Sequence, residues 1–366
     1  MDQIKVKVER RNVGYSVFIG GSILSGLSDY LRKNHANKKI VVITDETVSK
    51  LYKENFFNKL DAFNPYVIIL PFGEKIKTRE TKNKIEDTLM EKKYGRDSLI
   101  IAIGGGVIGD LAGFVAATFN RGIPIMHIPT TLLAMIDSSI GGKTGVNTRY
   151  GKNLIGSVLQ PSAVFADLNF LRTLPDEEFL SGLAEVIKIA ITSDKELFSI
   201  IENDYEKILA KDEGVLLKII KRSIELKKEV VEKDETESGL RQTLNFGHTI
   251  GHALEAHFNY KIKHGFCVSI GIAAELKISA LCGILQADEQ RIVSLLDKLK
   301  LPTKINKDIN ADKLIGYMVS DKKTLNEKPH FVLIKDIGTI KSEGKNYSFE
   351  VDGGIINKAI EMCKND

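Results

Sequence analysis

The sequence predicts a two-domain α/β fold, with a parallel-sheet domain in residues 1–175 and a mostly helical domain in residues 176–366. Three observations support this prediction. In the first half, short apolar runs typical of buried strands, such as 39–44 and 99–103, alternate with segments of helical periodicity. After Pro175, strand-like runs become rare and long helical periodicities take over. The chain of 366 residues is also long enough to bury two hydrophobic cores.

The first half follows a strand–helix order. Residues 3–19 alternate between polar and apolar and turn at Gly14, so they predict a β-hairpin that closes at Gly20. Because strands and helices then alternate, the sheet is expected to be parallel and layered. The further predicted strands are 39–44, 66–70, 99–103, 123–128 and 163–166, and the predicted helices are 23–33, one beginning near Glu46, 81–94 and 107–119.

The second half is predicted to be mostly α-helical. Its exit loop, residues 170–175, marks the expected domain boundary. A small strand at 330–334 is predicted to form a hairpin with residues 339–340. The predicted helices are 176–191, 195–210, 214–231, 242–257, 267–282, 287–299 and 355–363.

Composition excludes several classes of protein. The net charge of +4, from 52 basic and 48 acidic residues, gives no case for nucleic-acid binding. No apolar run approaches the roughly 20 residues that span a bilayer, and the charged N-terminal residues do not resemble a signal peptide. Cys267, Cys282 and Cys363 form no disulfide framework, so a reducing cytoplasm is expected.

The strongest functional signal lies in residues 98–153. A buried strand is predicted to end at Gly104, Gly105 and Gly106, and an Ala-rich helical segment follows. Glycines allow the backbone to approach an anion and a helix N-terminus favours one, so the pattern predicts a phosphate-binding turn. The motif matches neither the usual dinucleotide fingerprint nor Walker A, and a tight packing turn is the alternative. A second glycine loop carries Lys143.

A carboxylate follows the second predicted strand. Asp45 comes directly after residues 39–44, where α/β nucleotide sites often bind a ribose hydroxyl. The alternative is an N-cap for the helix that begins near Glu46.

Four of the seven histidines are clustered in the second half. His248 and His252 are four residues apart on one face of a predicted helix, so they could share a metal ion. His264 follows in a predicted loop, and Glu185, three residues before Lys188 in an apolar helical segment, could complete the site. Each histidine alone could be structural, but the cluster predicts a metal or catalytic site. The absence of HExxH argues against a metalloprotease.

Seven motifs together resemble the 3-dehydroquinate synthase family, over essentially the whole chain. They are GGGVIGDLAGF (104–114), PTT (129–131), DSSIGGKTG (137–145), GKN (151–153), AEVIK (184–188), NFGHTIGH (245–252) and HG (264–265). The resemblance implies a Rossmann-like parallel-sheet domain followed by a helical metal-binding domain. It also implies a lyase of the shikimate pathway that converts 3-deoxy-D-arabino-heptulosonate 7-phosphate to 3-dehydroquinate and phosphate. NAD⁺ is regenerated, so the implied reaction has no net redox change.

The resemblance also implies roles for individual residues. Glu185, His248 and His264 become the ligands of a zinc or cobalt ion, and His252 becomes a catalytic group that moves a proton. Arg121 matches an arginine that reaches the neighbouring subunit's site, which implies a homodimer. The residues implied to bind the substrate are Lys143, Lys188, Lys227, Arg241, Asn245, and Lys322 or Lys323.

The implied NAD-binding residues lie mostly in the first half. Among them, the acidic Asp45 favours NAD over NADP, because it would repel a 2′-phosphate. The full set is Asp45, Gly73, Glu74, Lys77, Gly105, Gly106, Val107, Asp110, Thr130, Thr131, Asp137, Lys143, Lys152, Asn153, Phe170 and Thr173.

Three other functions are compatible with parts of this pattern. Another sugar phosphate cyclase, such as 2-deoxy-scyllo-inosose synthase, would share the NAD and metal residues but not the pocket for a substrate carboxylate. Arg241 with Asn245 favours the dehydroquinate reaction. A metal-dependent polyol dehydrogenase would instead release NADH, and a non-catalytic binding protein would use the same fold without turnover.

Overall fold

The computed structural model describes residues 14–53, 57–235, 237, 239–319 and 328–365. Its first half alternates strands and helices, as predicted. In chain order it contains β1 (Ser16–Gly20), α1 (Leu27–His35), β2 (Lys39–Asp45), α2 (Glu46–Tyr52), β3 (Tyr66–Leu70), α3 (Arg79–Glu91), β4 (Ser98–Gly104), α4 (Gly106–Thr118), β5 (Ile125–Pro129), β6 (Lys143–Thr148), β7 (Gly151–Val158) and β8 (Ala163–Asp167).

The second half is mostly helical, and its few strands are short. It contains α5 (Asp176–Ser193), α6 (Lys195–Asn203), α7 (Tyr205–Leu209), α8 (Glu213–Lys233), α9 (His248–His257), α10 (His264–Leu281), α11 (Glu289–Lys298), α12 (Ala311–Val319), β9 (His330–Phe331), β10 (Ile334–Asp336), β11 (Thr339–Ile340), β12 (Phe349–Glu350) and α13 (Gly353–Met362). The predicted α/β fold class is confirmed.

Six strands form one parallel sheet in the order β1-β8-β5-β4-β2-β3. Every residue of β4 is buried, as expected of a strand whose two faces are both covered. From β2 the chain continues to β3 on one side, whereas from β4 it continues to β5 on the other side. The strand order therefore reverses between β2 and β4. Open α/β sheets bind ligands in the crevice beyond the carboxyl ends of such a strand pair.

The predicted N-terminal hairpin is described only in its second arm. That arm forms β1, which lies at the edge of the parallel sheet and pairs with β8. Residues 1–13, which include the first arm, lie outside the described residues. A hairpin that the sequence analysis did not predict is formed by β6 and β7, which pair antiparallel.

Several helix and strand predictions in the second half were wrong. The predicted helix 195–210 is two helices, α6 and α7, divided at Asp204. The predicted helix 242–257 is a 3-10 helix (Leu240–Asn245) followed by α9, and the break contains Gly247 with φ of +76°. Hydrophobic periodicity continues through both breaks, so it does not reveal where the backbone turns.

The predicted strand 330–334 also divides. Its first residues form β9, which pairs with β12, and its end begins β10, which pairs with β11. Helix α12 was not predicted at all. His264, expected in a loop, is the first residue of α10.

The largest hydrophobic cluster crosses the predicted domain boundary. It joins Met126 and Met135 of the first half to Leu183 and Ile187 of α5. The boundary between residues 175 and 176 stays a prediction, because the core is continuous there. Helix α10 is long and apolar enough to cross a membrane, but most of it is buried inside the protein, as in a core helix.

Candidate active site

The glycine turn, formed by Gly104, Gly105 and Gly106, lies at the carboxyl end of β4, beside the point where the strand order reverses. Helix α4 begins at Gly106, and Gly105 before it provides no side-chain cap. A Cβ added at Gly104 would lie 2.7 Å from Cβ of Ile108, and one at Gly105 would lie 3.1 Å from Cγ2 of Thr131. Larger residues do not fit this cradle. The N–H groups of the first turn of α4 are therefore available to an anionic group such as a pyrophosphate.

Thr130 and Thr131 border the same crevice from the neighbouring strand. The Thr130 N–H donates to the Gly104 carbonyl oxygen at 3.0 Å, which ties the end of β5 to the glycine turn. Oγ1 of Thr131 accepts from the Ala134 N–H at 3.1 Å. A π-helix, Ala134–Ser138, follows and carries Asp137.

Asp45 lies at the carboxyl end of β2, on the other side of the reversal. Its Oδ1 accepts the N–H groups of Thr47 at 2.9 Å and Val48 at 3.0 Å, so it caps α2. Burial raises the pKa of Asp45, and these two hydrogen bonds oppose the shift. The capping alternative is thus observed. The ribose-binding role stays a prediction, and both capping bonds use the same carboxylate oxygen.

Lys77 is buried and paired. Its Nζ lies 2.5 Å from Oδ2 of Asp110 and donates to Oδ1 of Asn153 at 2.6 Å. Burial raises the pKa of Asp110, and the charge of Lys77 opposes that shift. These contacts connect the loop after β3 to α4 and to the β6–β7 hairpin. Nearby, Glu74 accepts from Nδ2 of Asn147 at 2.7 Å.

Three potential metal ligands converge from three helices. Glu185 on α5, His248 on α9 and His264 on α10 each offer one ligand atom, and these atoms lie within 4.8 Å of one another. Nε2 of His248 and Nε2 of His264 lie 3.4 Å and 3.3 Å from Oε1 of Glu185. Among the described residues, that buried oxygen has no hydrogen-bond partner. Two imidazoles and a carboxylate suit Zn²⁺ or Co²⁺, so the residues fit a divalent metal.

The second nitrogen of each imidazole is also held. Nδ1 of His248 lies 3.0 Å from the Phe246 carbonyl oxygen, and Nδ1 of His264 lies 3.3 Å from Oε2 of Glu255. Such partners orient a ligating imidazole and direct its Nε2 lone pair to a metal. Burial lowers the pKa of His264, but the facing carboxylates of Glu185 and Glu255 outweigh it and raise the pKa to about 10. Metal binding is therefore expected to release a proton.

Charged partners also hold Glu185 ionised. Its Oε2 accepts from Nζ of Lys188 at 2.5 Å, and both side chains are almost fully buried. Burial would raise the pKa of Glu185, but Lys188 and His248 outweigh it and hold the pKa well below its usual value. A carboxylate that stays ionised is the form that binds a metal ion.

The two histidines that were predicted to share a metal do not fall in one group. The His252 ring lies 5.3 Å from the His248 ring, centroid to centroid, but its ligand atom groups with Glu255 and His264 instead. The set from the family resemblance, Glu185 with His248 and His264, is one of the two groups that the geometry brings together, and its role as the ligand set stays a prediction. The His252 ring centroid lies 5.3 Å from that of His248 and 6.0 Å from that of His264.

Glycines let the ligand-bearing helices approach closely. A Cβ on Gly265, next to His264, would lie 2.0 Å from the Ser181 carbonyl oxygen of α5. The Gly265 N–H donates to Oγ of Ser181 at 3.0 Å. The start of α10 is thus held directly against α5, four residues before Glu185.

Basic side chains lie near the group of Glu185, His248 and His264, which is called the metal cluster below, and contact loops at the crevice of the sheet. Nζ of Lys227 on α8 donates to the carbonyl oxygen of Asp137 at 2.5 Å and also pairs with its carboxylate. Burial lowers the pKa of Lys227, and Asp137 opposes the shift. Arg241 donates to the carbonyl oxygen of Glu235 at 2.8 Å and to that of Gly141 at 3.5 Å.

Two carboxylates that the sequence analysis did not identify, Glu237 and Glu255, also lie in this region. Glu237 pairs with Lys143 and accepts from Nδ2 of Asn245 at 3.1 Å. Glu255 accepts from Nζ of Lys152 at 3.0 Å as well as facing His264. The spacing of Glu255 from His248 and His252 puts all three on one helix face, a signal that was present in the sequence. Glu237 has no comparable signal.

The remaining predicted residues are placed as follows. Arg121 is exposed beyond the far end of α4, about 20 Å from the glycine turn by helix geometry. Phe170 packs in the core against Tyr52, whose hydroxyl bonds to Thr173. Gly73 has φ of +108°, and Val107 lies in the first turn of α4. Lys322 and Lys323 lie outside the described residues.

The arrangement joins an anion-binding turn to a site for a divalent cation. Lys188 pairs with Glu185 of the cation site, and Lys227 pairs with Asp137 of the π-helix after β5. Lys143 begins β6, and Arg241 contacts Gly141 of the second glycine loop. A metal ion polarises hydroxyl and carbonyl oxygens, and lysines bind carboxylates and phosphates. The site therefore suits redox or elimination chemistry on a small anionic polyol.

Comparisons with known proteins agree with this geometry. The family model described as 3-dehydroquinate synthase N-terminal matches residues 67–181, and the one described as 3-dehydroquinate synthase C-terminal matches residues 182–324. A protein named 3-dehydroquinate synthase from Thermodesulfovibrio yellowstonii is 41% identical over 360 residues, which cover 97% of this chain and 99% of that protein.

Two solved structures share the fold over nearly the whole chain. One is 2-epi-5-epi-valiolone synthase from Streptomyces hygroscopicus subsp. jinggangensis 5008 with NAD⁺ and Zn²⁺ bound, with a TM-score of 0.87 and 26% identity, covering 98% of this chain and 99% of that one. The other is 2-deoxy-scyllo-inosose synthase complexed with carbaglucose-6-phosphate, NAD⁺ and Co²⁺, also with a TM-score of 0.87 and 26% identity, covering 95% and 96%. The chain belongs to the 3-dehydroquinate synthase family.

Proposed function

We propose that this protein converts 3-deoxy-D-arabino-heptulosonate 7-phosphate to 3-dehydroquinate and inorganic phosphate, a step of the shikimate pathway. The observation that carries the proposal is the 41% identity, over 97% of the chain, to a protein named for this activity. The cluster of Glu185, His248 and His264 beside the glycine turn supports it, because the reaction needs both an oxidant and an electrophile.

Two bound groups supply this chemistry. NAD⁺ supplies a hydride acceptor that is later the donor, and a zinc or cobalt ion supplies Lewis acidity at the oxygen of the reacting alcohol. There is no room for a Cβ at Gly104 or Gly105, so the bare backbone at the start of α4 can approach a ligand, which supports dinucleotide binding there. The buried, unpartnered oxygen of Glu185 supports metal binding by Glu185, His248 and His264.

The side chains around the substrate bind it and move its protons. Glu185, His248 and His264 would hold the metal ion, which would polarise the substrate oxygens. His252, whose ring centroid lies 5.3 Å from that of His248, would accept the proton of the alcohol that is oxidised. The new carbonyl acidifies the neighbouring C–H bond, and that C–H proton passes to the departing phosphate as the C–O bond breaks. The chain therefore needs mainly to orient the phosphate.

The basic residues hold the charged ends of the substrate. Lys143, Lys188, Lys227, Arg241 and Asn245 bind its carboxylate, hydroxyls and phosphate, and Lys322 or Lys323 reaches the phosphate. Glu237 pairs with Lys143 and Asn245 in this structure, so a substrate must displace or share that carboxylate. After re-reduction of the ketone, the ring opens and an intramolecular aldol reaction closes the carbocycle.

The protein is proposed to act as a cytoplasmic homodimer. Arg121 lies at the end of α4 away from the glycine turn, where its side chain is exposed and its backbone has φ of +66°. A second copy would receive Arg121 at its substrate phosphate. Sedimentation analysis tests the dimer, and activity restored by mixing Arg121→Ala with a substrate-site variant tests the shared site.

Phosphate release from the heptulosonate phosphate tests the main proposal. The assay contains NAD⁺ and zinc, a chelator-treated control, and absorbance detection of NADH. Phosphate release without NADH accumulation, lost on chelation and restored by zinc, is the expected result. Release from glucose 6-phosphate instead would assign the chain to an inosose-type cyclase, and NADH formed from simple polyols would make it a dehydrogenase.

A further inference from the structure

Glu275 is a buried carboxylate that none of the proposed steps uses. It lies in the middle of α10, and its side chain is fully buried. Its Oε2 accepts the Gly247 N–H at 2.7 Å, and its Oε1 accepts the N–H groups of Thr249 at 3.2 Å and Ile250 at 3.4 Å. A buried charge is tolerated only when hydrogen bonds compensate it, and these three bonds supply that compensation.

Two of the three N–H groups, those of Thr249 and Ile250, belong to the first turn of α9, and the third belongs to Gly247 directly before it. The first N–H groups of a helix have no partner within the helix, and the residue before α9 is Gly247, which has no capping side chain. A carboxylate at this position also compensates the positive end of the helix dipole. Glu275 therefore performs for α9, from a different helix, the function of an N-cap.

The backbones of α9 and α10 meet without side chains between them. A Cβ on Gly271 would lie 2.0 Å from the Gly247 carbonyl oxygen, and one on Gly247 would lie 2.9 Å from the Val268 carbonyl oxygen. Gly247 also has φ of +76°, which glycine adopts without strain. The start of α9 is thus fixed against α10 both by contact and by the hydrogen bonds to Glu275.

His248 is the residue that these bonds enclose. Its neighbours on either side, Gly247 and Thr249, both donate to Glu275, and its Nδ1 is held by the Phe246 carbonyl oxygen. Its Nε2 then lies 3.4 Å from Oε1 of Glu185. Helix α10, which carries Glu275, also begins with His264. One helix therefore presents one proposed ligand and sets the position of another.

We propose that Glu275 is a positioning residue for the metal site, which fixes His248 by capping α9 from α10. The inference rests on the proposed function, since it takes Glu185, His248 and His264 as the metal ligands. Glu275 is in neither group of candidate metal ligands among the described residues. Its effect is exerted through the backbone of residues 247–250.

The test compares two capping variants in the full-length protein. Glu275→Gln keeps the size of the side chain and one acceptor oxygen, but its amide group cannot accept from Gly247. The matched control is Asp194→Asn, because Asp194 is also a buried capping carboxylate. It accepts the Leu197 N–H at 2.9 Å and pairs with Arg222 at 2.6 Å, at the start of α6. Zn²⁺ affinity is measured by competition with a chelator, and Co²⁺ absorption reports the ligand geometry.

Glu275→Gln is expected to weaken Zn²⁺ binding about tenfold, the size of effect seen when an indirect partner of a ligand is removed. It is also expected to alter the Co²⁺ spectrum and to speed hydrogen exchange at the amides of Thr249 and Ile250. Asp194→Asn is expected to lower the unfolding temperature while leaving metal affinity within about twofold.

Two results would overturn the inference. Faster exchange at Thr249 and Ile250 with unchanged Zn²⁺ affinity would show that the cap is structural only. A parent protein that binds no Zn²⁺ at Glu185, His248 and His264 would overturn the proposed metal site, and this inference with it. Because the parent is measured first, the two failures are distinguishable.

Discussion

The glycine turn and the metal cluster are built in opposite ways, and two histidines show the difference. His127 lies in β5 beneath α4, and burial lowers its pKa to about 4. His264 is also shielded, yet two carboxylates outweigh burial and raise its pKa to about 10. The turn is made of uncharged backbone and offers N–H groups. The cluster is made of paired charges and offers lone pairs. One region is therefore suited to an anion and the other to a cation.

The largest expected effect comes from removing a metal ligand. His264→Ala is expected to abolish bound zinc and to reduce phosphate release about a thousandfold or more, because a metal supplies several kcal/mol of stabilisation. Metal content by atomic absorption and the phosphate assay measure both effects. His257→Ala, a histidine of the same cluster in sequence but outside the ligand groups, is the control. Equal zinc content in both variants would contradict the proposed ligand set.

A smaller effect is expected from filling the glycine turn. Gly104→Val would place atoms against Ile108, where even a Cβ lies at 2.7 Å, and shift the start of α4. A displacement of about 1 Å can cost about a hundredfold in rate. The expected result is weaker NAD⁺ binding by calorimetry with unchanged zinc content. Gly109→Ala is the control, since its Cβ would meet nothing closer than 3.7 Å. Equal NAD⁺ affinity in Gly104→Val and the parent protein would contradict the proposal that NAD⁺ binds at the glycine turn.

Glu255→Gln separates orientation of a ligand from ligation. The amide retains the size of the side chain but removes the charge that faces His264 and Lys152. Zinc affinity is expected to fall about tenfold, with activity recovered at saturating zinc. Titration of activity against free zinc, set by a metal buffer, measures the change. If activity stays low at every zinc concentration, Glu255 acts on something other than metal affinity.

The smallest effect concerns stability and not turnover. The folded protein holds His127 neutral down to about pH 4, whereas an unfolded histidine titrates near pH 6.5. Its contribution is present above pH 6.5 and is lost as the pH falls towards 4, by about 3 kcal/mol in total. His127→Gln is expected to flatten this part of the stability profile. Urea unfolding at pH 7.5 and pH 5 measures the free energy of unfolding of both proteins. If this free energy changes equally between the two pH values in His127→Gln and in the parent, His127 is not the source of the pH dependence.

Local patterns predicted the sheet and the glycine turn. Strands β2, β3 and β4 were predicted to within one residue at each end, because buried parallel strands appear as continuous apolar runs between turn signals. The turn at Gly104 was predictable for the same reason, since its strand, glycines and helix are consecutive in the chain. Asp45 shows the limit: its position was predicted, but only the structure showed that it caps α2.

The metal cluster required residues that are distant in the sequence. Spacing alone favoured His248 with His252, which are four residues apart, whereas the geometry groups His248 with Glu185 and His264. The family resemblance supplied that set before the structure did. Glu237 and Glu275 were missed because their partners lie on other elements of the fold, whereas the spacing of Glu255 on the histidine face of α9 was visible in the sequence.

The sequence by itself determined the strand–helix alternation of the parallel sheet, the glycine turn and the identity of the chemical groups available. These depend on periodicity, backbone freedom and composition, which are local properties. The tertiary structure decided which groups meet: three helices, held together by close glycine contacts, bring Glu185, His248 and His264 within 4.8 Å. Packing between distant segments sets such distances, so no local pattern in the chain contains them.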